Sequence, residues 1–318
     1  MAKTNHDSIN AVHMFGALCL TAGLASLISC QNASPSPPQT SSPANNPPAA
    51  PHATSTPTPT PPVHYQARTI EGKKWLAQLK EELGDEGMAL ALKINRVDLK
   101  HVRQGETFFV PEKLDDPLAI SPFPFELETA RSIQKLLLVS RRVQAFGAYE
   151  SGKLVRWGPT STGKKATPTP TGLYHTNWKA KQTVSTVSDE WVLSWYFNLD
   201  NFEGVSLHQY DLPGYPASHS CVRLLEEDAA WIYNWADQWI LSKDGHARLA
   251  YGTPVEIFGD YAYGQKPPWK RLHDDPLAAS VSVSEVEEAL RPHLSLIQER
   301  ARARAALLET RAQSSPQM

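Results

Sequence analysis

Cys221 stands in the run Ser218-His219-Ser220-Cys221-Val222-Arg223, thirteen residues beyond His208. A thiol flanked by imidazoles has the makings of nucleophilic catalysis: the thiolate attacks, and a neighbouring base or positive charge generates it. The chain has three cysteines. Cys19 lies in an apolar N-terminal stretch and Cys30 closes Leu27-Ile28-Ser29-Cys30, so Cys221 alone falls to the folded body. Two other readings compete. A free Cys is commonly a buried, inert small hydrophobe. His208, His219 and Cys221 are also acceptable zinc ligand types, but they crowd around one loop with no matching Asp or Glu pattern, so neither metal nor cofactor is expected.

The elements that must position these groups are short and mostly extended. Strand candidates at 135–139, 143–149, 153–157, 172–178, 191–197, 202–207 and 253–258 are rich in Val, Leu, Tyr, Phe and Trp. Gly, Ser, Asn and Asp turns separate them, which predicts a mainly β domain of sandwich or barrel type over 121–264. His208 ends one such strand, and a loop containing Pro213, Gly214 and Pro216 returns to Cys221. His219, two residues before the Cys, points to the same side as it in extended geometry. One prominent helix is expected over 226–241, where Ala229, Ile232, Trp235, Ala236 and Trp239 recur at helical spacing. Its N-terminal dipole, just after Cys221, would favour a thiolate.

Two smaller pieces flank this domain. Residues 65–120 read as a small helical module: a helix to Gly84, a second from Asp85 to Ile94, then a turn and strand ending at Val110-Pro111. The segment Asn95…Leu99…Gly105…Phe108…Val110-Pro111 is similar to the closing half of a LysM glycan-binding module. Residues 265–318 read as a C-terminal helical appendage and tail, with Ser284 and Glu287 as a capping box, a break at Pro292, and alternating Glu and Arg beyond Leu294.

The N-terminus points to export. Met14 to Ile28 is apolar but interrupted by Gly16, Thr21, Gly23 and Ser26, too short to span a ~30 Å hydrocarbon core and suited to a signal peptide over 1–29. Its end, Leu-Ile-Ser-Cys, resembles the lipobox of bacterial lipoproteins, which implies cleavage before Cys30 and lipidation of its thiol. That makes the membrane a partner through a lipid anchor, on the periplasmic face, with Gln31 compatible with the outer membrane. Residues 31–62 hold eleven of the 26 prolines and no charged residue. Such a stretch cannot bury a core and favours polyproline II, so 30–64 reads as lipidated Cys plus linker. At ~3.1 Å per residue it would reach on the order of 100 Å. The formal net charge of −2 gives no electrostatic footprint for nucleic acid.

His208…Ser218-His219-Ser220-Cys221-Val222-Arg223 resembles the signature of the L,D-transpeptidases with a YkuD-type domain. Ser161-Thr162-Gly163-Lys164 followed by Thr169-Pro170-Thr171-Gly172 resembles that family's N-terminal half, so the likeness runs over about 131–260. It implies a cysteine acyltransferase acting on peptidoglycan stem peptides, making 3→3 cross-links or attaching protein to the wall. With water as acceptor the same site would be a carboxypeptidase or cross-link hydrolase; without activity, a wall-binding lipoprotein. Carried over by position, Cys221 would be the nucleophile and His208 its base, oriented by the carbonyl of Gln209. Ser220 and Cys221 amides would line the oxyanion hole, His219 would support the loop, and Arg223 would bind a stem carboxylate unless it pairs with Glu226 or Glu227. Ser220 replaces the family's Gly, which would strain the turn if that position needs a positive φ.

Overall fold

The computed structural model describes residues 63–112, 116–185 and 188–314. The expected signal peptide, Cys30 and most of the linker lie outside the described residues. Among the described residues no helix is long and apolar enough to cross a membrane.

Nine strands form one sheet, so the mainly β expectation holds. In chain order they are β3 Lys135–Ser140, β4 Ala145–Glu150, β5 Lys153–Ser161, β6 Gly172–His175, β7 Lys179–Val184, β8 Val192–Asn198, β9 Ser206–Gln209, β10 Val222–Leu224 and β13 Pro254–Phe258. Across the sheet they run β6-β13-β3-β4-β5-β10-β9-β8-β7. Most neighbours are antiparallel, but β13 with β3 and β10 with β9 are parallel. Period-two alternation splits the side chains between two apolar layers. Leu136 and Leu138 of β3 face one layer, with Tyr149, Val286, Leu290 and Ile297. Leu137 and Val139 face the other, with Phe146, Leu207, Val222, Ala229 and Ile232.

Helices cover both layers. On the second lies α2, Glu226–Trp235, shorter than the 226–241 expected. The chain leaves helical geometry at Ala236, because tertiary bonds claim the residues around its end. Lys135 Nζ donates to the Trp235 carbonyl at 2.8 Å, and the Asp237 amide donates to Thr253 Oγ1 at 2.9 Å. Ala229, Ile232 and Ala236 are buried as the helical spacing predicts, while Trp239 falls in the loop beyond. A short hairpin of β11 Ile240–Leu241 and β12 Arg248–Ala250 comes next.

On the first layer lie α3 Val283–Leu290 and the start of α4 Leu294–Ser314, so the C-terminal stretch is part of the core. The α3 cap is Ser282, whose Oγ accepts the Glu285 amide at 3.1 Å, two residues earlier than the Ser284–Glu287 pair suggested. The interruption around Pro292 stands between α3 and α4.

The N-terminal module contains β1 Tyr65–Thr69, α1 Lys73–Asn95 and β2 Thr107–Pro111. Gly84 breaks α1 with φ +70° and ψ −179°, where the sequence ends its first helix. Strand β1 pairs antiparallel with β2. Arg96 keys the module to the sheet. It is buried, its Nε donates to the Val143 carbonyl at 2.9 Å, and its guanidinium lies 5.7 Å from both the Trp157 and Trp269 ring centres.

Candidate active site

The parallel pairing of β9 with β10 sets Val222 opposite Leu207 and Arg223 opposite His208. Cys221 therefore stands at the mouth of β10, level with Ser206, and the thiol and imidazole line one cleft of about 290 Å³. The expectation that Cys221 sits at a helix N-terminus is corrected: β10 intervenes, and α2 begins only at Glu226.

The sulfur is held by two groups that the sequence did not reveal. Ser206 Oγ donates to Cys221 Sγ at 3.2 Å, and the thiol donates to the Gly204 carbonyl, also at 3.2 Å. Burial pushes the thiol pKa up, against the opposing pull of Ser206 and of the Arg223 charge. The resting group is thus a thiol, and something must take its proton. Ser206 had one sequence signal: it lies two residues before His208, on the same strand face.

His208 is buried, and its Nδ1 lies 2.9 Å from the Gln209 carbonyl. A carbonyl only accepts, so Nδ1 carries the hydrogen and Nε2 keeps a free lone pair. Burial, with some help from the Arg223 charge, depresses the His208 pKa to about 4 against the raising effect of the Gln209 carbonyl. The imidazole is neutral at neutral pH. Tyr196 stacks against it, centroids 6.4 Å apart, and Tyr210 meets it edge-on.

His219 is placed otherwise. Its Nε2 lies 3.0 Å from Lys164 Nζ, and the Trp191 ring packs 5.1 Å away. An ammonium only donates, so the one lone pair of a neutral His219 is already occupied. Burial first, then the charges of Lys164 and Arg223, lower its pKa. Ser220 adopts φ +85°, the left-handed geometry in which a Ser is strained and a Gly is not. Arg223 pairs with neither Glu226 nor Glu227; Glu227 is 2.7 Å from Lys93 instead. The Arg223 guanidinium lies over the Tyr210 ring at 4.5 Å, and it forms no ion pair among the described residues.

The Ser161–Gly172 stretch forms the floor of this turn. Ser218 N–H donates to the Thr162 carbonyl at 3.1 Å, and Lys164 N–H to the Ser218 carbonyl at 3.0 Å. A Cβ on Gly163 would sit 2.1 Å from the Thr167 carbonyl oxygen, so only glycine lets the 163–169 turn close on itself. Thr169 Oγ1 accepts the Gly163 amide at 2.9 Å. Lys164, a motif residue to which the sequence assigns no role, thereby becomes the cation beside His219. No three His, Cys, Asp or Glu side chains converge as a metal-ligand set among the described residues.

The Cys221 thiol and the neutral, carbonyl-pinned imidazole of His208 thus line one cleft, next to a turn with positive φ at Ser220. Residues 134–257 match the family model of the YkuD-type L,D-transpeptidase catalytic domain, and the chain carries such a domain. L,D-transpeptidase 1 of Mycobacterium tuberculosis is 25% identical over 137 residues, covering 38% of this chain and 49% of the relative. The chain thus spans about half the length of the curated relatives it matches. Among solved structures, an L,D-transpeptidase from Stackebrandtia nassauensis superposes with a TM-score of 0.35 at 17% identity, over 59% of this chain and 78% of that one. An L,D-transpeptidase from Mycobacterium smegmatis gives 0.32 at 20% identity, over 40% and 59%.

Proposed function

We propose that this chain is an L,D-transpeptidase acting on peptidoglycan stem peptides, with Cys221 as nucleophile and His208 as general base. The observation that carries the reading is His208 itself: a buried, neutral imidazole whose Nδ1 is pinned to the Gln209 carbonyl and which lines the same cleft as Cys221. The family match over 134–257 supports the reaction class.

These groups account for each step of the reaction. At rest the S–H is turned to the Gly204 carbonyl. As the sulfur attacks the carbonyl of the L-centre residue of a tetrapeptide stem, that proton passes to His208 Nε2. The amides of Ser220 and Cys221 would receive the developing oxyanion. Collapse breaks the peptide bond, and His208 protonates the departing D-alanine amine, leaving a thioester. An amine of a second stem, or of a protein, then attacks; His208 takes its proton and the C–S bond breaks, restoring the thiol. Arg223, which forms no ion pair among the described residues, would hold a stem carboxylate bidentately. His219, its lone pair facing Lys164, would support loop and substrate.

The test is incubation of the purified chain with disaccharide-tetrapeptide and mass analysis of the products. Loss of D-alanine with appearance of a cross-linked dimer is the expected result. No release from a chain with a confirmed free thiol overturns the reading, and release without dimer makes water the acceptor.

We further propose that Cys30 carries a lipid anchor and that the proline-rich stretch holds the folded body off an outer-membrane periplasmic face. The supports are the Leu-Ile-Ser-Cys ending and the composition of 31–62. Cys30→Ser is expected to move the protein from the membrane fraction to the soluble one; continued sedimentation with membranes would rule the anchor out.

A further inference from the structure

A second cavity, of about 280 Å³, shares a wall with the catalytic cleft. That wall is the 199–204 loop. Leu199, Asp200 and Asn201 line the second cavity, Glu203 and Gly204 line the cleft, and Phe202 lines both. Phe202 is 96% exposed, so a phenyl ring stands in solvent on the wall that the two spaces share. The Gly204 end of the same loop accepts the Cys221 thiol proton.

The second cavity is basic in an unusual way. Arg248 of β12 and Arg300 of α4 both lie over the Tyr251 ring, each 3.8 Å from its centre. Arg248 also donates to the Tyr251 hydroxyl at 2.5 Å. Elsewhere on this body Arg68, Arg141, Arg142 and Arg156 each have a carboxylate partner. Arg248 and Arg300 form no ion pair among the described residues, although two guanidiniums gathered on one ring repel each other.

Beside them His175 is buried, 8% exposed, with its Nδ1 3.4 Å from an Arg300 nitrogen. Facing a group that only donates, Nδ1 must accept, so the hydrogen sits on Nε2. That Nε2 is buried and has no partner among the described residues. The cluster therefore offers two unpaired cations and a donor lacking an acceptor. The one carboxylate in the cavity wall, Asp200, is engaged by the amides of Phe202 and Glu203 at 2.7 and 2.6 Å.

We propose that this cavity binds a free carboxylate of the acyl acceptor, an amine-bearing stem peptide, holding it through Arg248 and Arg300 while its amine reaches past Phe202 to the thioester on Cys221. The proposal rests on the acyl-transfer reading and adds to it a second binding site, whose lining does not include Arg223. Guanidiniums suit the task because each can hold both oxygens of a carboxylate. It also gives the C-terminal helix a role, since α4 contributes Arg300.

The experiment separates the site from the reaction by using the full chain with Cys221→Ala, which cannot form a thioester. A synthetic tripeptide ending in a diamino acid with a free carboxylate, and its C-terminal amide, are titrated into it by calorimetry. The acid is expected to bind, about 10-fold more tightly than the amide, and more weakly as salt rises. Arg248→Gln, an exposed change that spares the fold, and Arg300→Gln are each expected to weaken the acid about 10-fold and leave the amide unmoved. Equal binding of acid and amide, no binding of the acid, or variants that bind the acid as the parent does would each overturn the proposal. D-alanine release by the unsubstituted chain is the separate arm: its absence sinks the transferase reading, while the titration decides the cavity.

Discussion

The two walls of the catalytic cleft are built on opposite principles. One is the 210–220 loop that returns from His208 to Cys221. The N-terminal module grips it: the Asp98 amide donates to the Leu212 carbonyl at 3.0 Å, and the Leu212 amide donates to Asp98 Oδ2 at 2.8 Å. Val97 bridges to Pro213, and Lys100 pairs with Asp211. From below, Ser161 Oγ donates to the Tyr215 carbonyl at 2.8 Å and accepts the Ala217 amide at 3.1 Å. The other wall is the hairpin of β7 and β8. There β7 is the sheet edge, bonded among the described residues to β8 alone, and Val184 and Val192 at the tip are 53% and 52% exposed. The pair proposed to exchange the proton, His208 and Cys221, flanks the tied loop, where error in placement is costly. The exposed tip of the other wall carries Val184 and Val192, with Trp191 beside them, while the far end of β8 is buried through Phe197.

That contrast can be broken first at the chemistry. Cys221→Ala is expected to abolish product while the circular-dichroism melt stays cooperative. His208→Ala should lower kcat/KM by ~10²–10⁴-fold, and His219→Ala clearly less. Were the His219 change the more damaging, base and support would exchange roles, and the tied wall would lose its claim to the proton chemistry.

The pH profile sharpens the same point. With the His208 pKa near 4 in the folded chain, kcat/KM should hold level from neutrality to about pH 5 and fall below about pH 4. An unburied histidine would instead fall off below its ordinary value of ~6.5. An acid limb there, lost in His208→Ala, would contradict the buried neutral base. The sign for stability is the same. An unfolded His takes up its proton below about pH 6.5 and the folded one only near 4, so this residue makes the fold lose stability as pH falls through that window.

The walls themselves come next. Asp98→Ala removes the acceptor of the Leu212 and His101 amides. It should cost ~1–3 kcal/mol of stability and lower kcat by about 10-fold with little change in KM. Val184→Ser and Val192→Ser on the other wall should raise KM while moving stability by less than ~0.5 kcal/mol. If both walls respond alike, in kcat and in Tm, the division of labour between them is wrong.

The smallest effect belongs to Ser220. Its φ of +85° suits glycine, so Ser220→Gly should raise stability by about 1 kcal/mol. A Tm that drops would mean that the Ser side chain supplies more than the strained backbone takes away.

Legibility in the sequence tracked locality. His208, Cys221 and the Gly163 floor lie in short motifs whose spacing survives folding, so their gathering around one cleft was readable. Gln209 was readable because it adjoins His208. Lys164 as a neighbour of His219 was not, since 55 residues separate them. The end of α2 is set by Lys135 and Thr253, far along the chain, so its periodicity ran on to 241. Strand β7, Lys-Ala-Lys-Gln-Thr-Val, was missed because an exposed edge has no buried face to write an apolar alternation. Strand β1 is likewise mostly exposed, with only Tyr65 and Arg68 partly covered. The helix dipole assigned to Cys221 failed for a different reason: three residues of strand were too few to recognise.

The parallel register of β9 and β10 works as a ruler. His208 and Cys221 come from neighbouring strands that run the same way, so the distance between them is written in strand pairing and not in the length of the connection. The length of the connecting loop therefore does not by itself set the spacing of His208 and Cys221. Parity is the forbidden change. A one-residue slip of β9 would turn Leu207 into the cleft and His208 into the apolar layer, inverting Ser206 with it. The proposed chemistry of such a chain can be lost by a single step of register.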